Sequence, residues 1–132
     1  MLEHLLDPWK MLRKIKLVLS AGGTLVVSIP NTSFPQVLEQ LANGRFDYDD
    51  AGILDRTHLR FFTRQTFNEA LSNAGFAVIR AEPVLHPIFN QIPEEVRNNG
   101  SSISFSTVSI QLRDYAHVLD IMTYQWLFTA RD

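Results

Sequence analysis

The run Thr24–Ile29, T-L-V-V-S-I, limits what the chain can fold into more than any other stretch. It is β-branched and apolar without a clean alternation, which predicts a short strand buried on both faces, as in the parallel sheets of α/β proteins. Gly22-Gly23 precedes it, and before the glycines Met11, Leu12, Ile15 and Leu19 recur at helical spacing behind Asp7 and Pro8. Asp7 suits the N-cap, Pro8 suits the first helical position, and the glycines end the helix. Helix, glycine turn and buried strand together imply part of a βαβ succession. The chain has 132 residues, 45% of them hydrophobic, which is the size of one domain able to bury its own core.

Further along, Pro30-Asn31 ends the strand. Phe34, Val37, Leu38 and Leu41 predict a second helix over Ser33–Ala42, closed by Gly44. Thr63 caps a third helix carrying Phe67, Ala70, Leu71 and Ala74, with Gly75 at its left-handed C-terminal position. A strand is expected over Phe76–Glu82. Pro83, Pro87 and Pro93 interrupt the next stretch, Arg97–Ser102 is polar enough to be mobile, a helix is expected over Ser106–Asp120, and Thr123–Ala130 reads as a closing aromatic strand.

Between the second and third helices lies Gly44–Thr63, G-R-F-D-Y-D-D-A-G-I-L-D-R-T-H-L-R-F-F-T. It has neither helical nor strand period, and connections that carry charge and rings are where a rigid scaffold presents functional groups. His58 is its candidate general base, since an imidazole takes up a proton near neutral pH. Asp55 would orient that ring, and Arg56 and Arg60 would bind an anionic sugar or phosphate. A plainer reading stands beside this one: a solvated connection anchored by Phe46, Phe61 and Phe62, with His58 bracing the loop against Asp55. From Asp47 the calcium-loop pattern fails, because Ala51 and His58 stand where acidic ligands are needed. No metal site is expected.

Charge and composition narrow the partners. A net charge of -2 and a pI near 6.0 leave no basic footprint for nucleic acid. No apolar run approaches a membrane span, and the first residues lack the pattern of a secretory signal. Cysteine is absent, which excludes disulfides and thiolate metal sites and is compatible with a cytoplasmic location.

The order Leu2-Glu3-His4-Leu5, Asp7-Pro8, Gly22-Gly23, Leu25–Asn31, with Gly44–Tyr48 and Gly52–Thr63 after it, resembles the second half of a class I S-adenosylmethionine-dependent methyltransferase. It is similar to a bacterial group associated with glycosyltransferase or surface-sugar loci. The resemblance implies a partial Rossmann-like α/β fold: a three-stranded mixed sheet made of the family's last three strands, in the order five, seven, six with the seventh antiparallel, and with flanking helices. The whole chain would be one domain, the C-terminal portion of a methyltransferase domain, without the glycine-rich cofactor loop. It further implies that Leu2, Glu3 and His4 contact S-adenosylmethionine in the complete domain, that this chain alone binds no cofactor, and that Asn31 joins Arg56 and Arg60 at the small-molecule acceptor. Relatives that methylate RNA 3′ ends or quinone precursors use such a glutamate-histidine pair for a divalent metal, with a further acidic ligand that would lie upstream here. The acceptor would offer an oxygen or nitrogen, and a sugar-like molecule fits the resemblance. Two alternatives remain: such an enzyme's C-terminal part, or a non-catalytic α/β module that completes a partner subunit or forms a homo-oligomer through the Thr24–Ile29 edge.

Overall fold

The strand nearest the C-terminus occupies the middle of the sheet. A computed structural model of the chain, describing residues 1–99 and 101–132, places β5 (Thr123–Arg131) between β1 (Thr24–Pro30) and β2 (Ala77–Leu85). Both pairings are antiparallel, in keeping with a closing strand that runs against its neighbours, but no parallel pair is present among the three strands and the sheet is not mixed: Phe128 lies opposite Val27 on one side and Ala81 on the other. Trp126, Phe128 and Ala130 alternate along β5 and are buried, as the period of two requires for a strand covered by a core.

β1 departs from the expectation of two buried faces. Val27 and Ile29 are buried while Val26 beside them is 59% exposed, so among the described residues the strand is covered on one face and hydrogen-bonded along one edge only. Its apolar run therefore exceeds what this fold buries.

The helices begin where local chemistry satisfies free amides. α1 (Pro8–Val18) starts with the Asp7 carboxylate accepting from the Lys10 amide at 2.8 Å. α2 (Pro35–Ala42) follows β1. α3 (Arg64–Asn73) opens on a reciprocal cap in which Thr63 and Thr66 each take up the other's backbone N–H, and it stops at Gly75, whose φ of +94° suits a residue without a Cβ. α3 lays Phe67 and Leu71 into the core, where Phe67 meets Phe62 edge to face at 5.2 Å and Phe128 at 5.1 Å. Leu2, Leu12, Ile29 and Trp126 fill out the same cluster.

Past β2 the structure departs further from the sequence expectation. α4 (Glu94–Asn99) includes Arg97, so part of the segment expected to be mobile is helical; Gly100 of that segment lies outside the described residues. A helix over Ser106–Asp120 is replaced by a hairpin of β3 (Ser102–Phe105) and β4 (Val108–Gln111), with helix only in α5 (Tyr115–Met122). Ser106 turns the hairpin at a φ of 48°. The reason is the alternation Ile103, Phe105, Val108, Ile110, which suits a hairpin and brings Ile103, Phe105 and Ile110 onto a second cluster with Phe89, Val118 and Met122. Among the described residues no helix is long and apolar enough to cross a membrane.

Candidate functional site

Two short segments far apart in sequence make the site: the helical turn Leu2–His4 and the loop between α2 and α3. The amides of Leu59 and Arg60 donate to the Glu3 carbonyl at 2.7 and 3.0 Å, which holds the loop against the turn. Within the loop, the Asp49 carbonyl receives the Arg56 amide and the Asp49 amide donates to the Leu54 carbonyl, while Ile53 and Leu54 are buried beside Phe34 and Val37. The loop is thus anchored by aliphatic side chains and Phe62; Phe61 is partly buried, and Phe46, one of the expected anchors, is 37% exposed.

This arrangement sets the state of both histidines. His58 is buried, and its Nδ1 lies 2.9 Å from the Ile53 carbonyl, which can only accept; Nδ1 therefore carries a proton, and in the neutral ring Nε2 is the nitrogen with the lone pair. His4 Nδ1 lies 3.0 Å from the Thr57 hydroxyl and 3.2 Å from the Thr57 carbonyl. That hydroxyl spends its one proton on Asp55 Oδ1 at 2.6 Å, so it too accepts from His4, and in the neutral ring His4 Nε2 is the nitrogen with the lone pair. The two rings meet edge to face at 4.7 Å.

Asp55 therefore does not hold the His58 ring. Its carboxylate takes the Thr57 hydroxyl and amide, the causes that hold its pKa below the ordinary value, and through Thr57 it orients His4. Glu3 is 8% exposed. Burial pushes its carboxyl upward, but the Met1 ammonium at 2.7 Å and a backbone bond outweigh that and keep it lowered. Its Oε2 is buried with no hydrogen-bond partner.

Glu3 and His58 line an open cleft of about 350 Å³ with Pro30, Gly52, Tyr124 and Gln125, where β1 ends and β5 begins. Tyr124 and Gln125 do not stand out in the sequence, because an aromatic in a closing strand reads first as core; only their place at the start of β5 could mark them. The remaining expected residues are elsewhere or engaged. Leu2 packs in the core. Asn31 is fully buried and gives both amide hydrogens to the carbonyls of Asp120 and Thr123, so as placed it offers no donor to an acceptor molecule. Arg60 donates to the carbonyls of Leu59 and Leu6 and lies over Trp9, whereas Arg56 is exposed beside Asp50 at 2.7 Å.

A cleft with a lone-pair imidazole and a buried carboxylate at one rim can accept a proton and hold a small polar molecule. Set against known families, residues 1–81 match the one described as a methyltransferase domain, a match that covers α1 to most of β2 and all the cleft residues except Tyr124 and Gln125. No curated protein matches the chain.

Proposed function

The chain belongs to the methyltransferase-domain family, and from that premise we propose that it forms the acceptor side of a class I, Rossmann-like enzyme moving a methyl group from S-adenosylmethionine to an oxygen or nitrogen of a small, sugar-like acceptor in the cytoplasm. The observation that carries this reading is the His58 ring in the wall of the cleft, with Nδ1 held by the Ile53 carbonyl so that Nε2 is the nitrogen left to take a proton. The residues present suit one edge of the cofactor. Glu3, buried with an unpartnered oxygen, is the anionic group suited to a positively charged donor, but the sequence has no glycine-rich loop to cradle it. The cofactor, when bound, supplies an electrophilic methyl group. This chain contributes position and proton transfer: the cleft lined by Glu3, Pro30, His58 and Gln125 places the acceptor, His58 takes its proton, and exposed Arg56 supplies a cation of the same loop for an anionic group.

The test is transfer of labelled methyl to a panel of monosaccharides and nucleotide sugars by a protein in which these residues follow a complete cofactor-binding half. A fall of about 100-fold or more in His58→Ala supports the base role, and unchanged turnover removes it.

A second reading is favoured by β1. With one edge unpaired and Val26 exposed, the strand can pair with another copy or a partner subunit, making this chain an interaction module. Light scattering at rising concentration decides it, a monomer throughout counting against homo-oligomerisation.

A further inference from the structure

A second open cleft, of about 270 Å³, shares no lining residue with the one at Glu3 and His58. The start of α3 supplies Thr63 and Arg64, α5 supplies His117 and Asp120, and Ser33 and Arg113 come from the connections after β1 and before α5. The carboxylate of this set is already spent: Asp120 takes the Nε and Nη2 edge of Arg64, whose guanidinium also lies over the Trp126 ring at 5.4 Å. A guanidinium has more N–H groups than one carboxylate accepts, and this pairing leaves the Nη1–Nη2 end as a second fork, of the spacing that an oxyanion accepts bidentately. The remaining groups donate as well. The Arg113 amide and Nε aim their hydrogens at His117 Nδ1, at 3.3 and 3.5 Å, so Nδ1 accepts and in the neutral ring Nε2 is the nitrogen that carries the proton. Among the described residues the arginines in ion pairs are Arg45, Arg56, Arg64 and Arg80, so the Arg113 charge stands uncompensated, while Asp114 beside it is engaged in accepting from the His117 amide at 2.8 Å.

We propose that Arg64, Arg113, His117 and Ser33 form a binding site for the phosphate group of a small phosphate monoester. The donors come from separate elements, so they call for acceptor oxygens pointing in several directions; a tetrahedral phosphate has these, whereas the two coplanar oxygens of a carboxylate would be used up by the Arg64 fork alone. Two arginines against one aspartate leave the lining with an excess positive charge that suits an anion. Asp120 is a positioning residue, since it orients the Arg64 fork and touches the ligand only through it. The positive end of the α3 dipole adds to the attraction. The site requires no methyl transfer, and its test reads binding alone.

The experiment follows the backbone amides of the full chain by NMR while inorganic phosphate or glycerol phosphate is added at constant ionic strength, with chloride as the reference anion. Saturable shifts are expected at Ser33, Arg64, Gln65, Arg113 and His117. Affinity should fall about tenfold in Arg113→Gln and in Arg64→Lys, which keeps a cation for Asp120 without the second fork, and should hold in the control Arg80→Gln on β2. Arg113 is exposed, so its variant remains informative should Arg64→Lys disturb the contact between α3 and α5. Tighter binding of glycerol phosphate than of inorganic phosphate supports the monoester, and equal binding of the two overturns that part in favour of the free anion. Shifts no larger than those with chloride, undiminished affinity in Arg113→Gln, or an equal loss in Arg80→Gln overturns the site itself.

Discussion

Gly52 faces Tyr124 so closely that a methyl group on its Cα would stand 2.9 Å from the Tyr124 hydroxyl. Gly52 also has a φ of +93°, a conformation that L side chains adopt at a cost of about 1–2 kcal/mol. Gly52→Ala is therefore expected to lower stability by roughly 2 kcal/mol, part strain and part contact. Tyr124→Phe in the same protein removes the hydroxyl and should recover the contact part alone; urea unfolding of the double-mutant cycle measures both.

Asn31 is the staple between β1 and the turn from α5 into β5. Its amide hydrogens reach the Asp120 and Thr123 carbonyls at 2.8 and 2.7 Å, and its own oxygen accepts from the Ser33 amide. Asn31→Ala strands these groups, so a loss of about 3 kcal/mol is expected, read as a lowered denaturation midpoint with unchanged slope.

Arg64 grips Asp120 through Nε and Nη2, joining α3 to α5, and the carboxylate keeps the guanidinium pKa raised. Both side chains are part-exposed, so solvent screening limits the pair: Asp120→Ala should cost about 1 kcal/mol and little more. A loss diminished in molar salt would verify its electrostatic share.

Acid should loosen the loop through Asp55. Its folded pKa is depressed by the Thr57 hydroxyl and then the Thr57 amide, so its contribution is present above the unfolded value of 3.8 and fades as pH falls through the still lower folded value. Carbon-detected NMR of the Asp55 carboxyl should place its midpoint below 3.8, and in Thr57→Val the midpoint should move upward.

How much of this fold is legible in the sequence depends on the range over which each signal acts. Asp7, Thr63 and Gly75 work within one turn of helix, and the structure has them as the cap of α1, the cap of α3 and the left-handed stop after it. β1 is legible as a strand, but its burial depends on its neighbours in space, and Val26 faces solvent. The hairpin is masked although Ile103, Phe105, Val108 and Ile110 alternate, because serine and threonine around a two-residue turn dilute the apolar signal until it resembles a helix start. At the site, His58 and Glu3 can each be picked out by residue type. Their meeting cannot, since it depends on Leu59 and Arg60 bonding the Glu3 carbonyl across the fold. Asp55 supports His4 instead of the nearer His58 for a related reason: Thr57 intervenes.

The central place of β5 carries a consequence for the order in which the protein can assemble. Among the described residues β1 and β2 pair with no strand but β5, so this three-stranded sheet cannot form until residues 123–131 have left the ribosome. Helical turns and caps can form early on the emerging chain, whereas the sheet closes only through contacts of long sequence separation, the kind that slow folding. Until then the apolar faces of both outer strands wait uncovered, and holding them apart from other chains is the task of the cell that makes this protein.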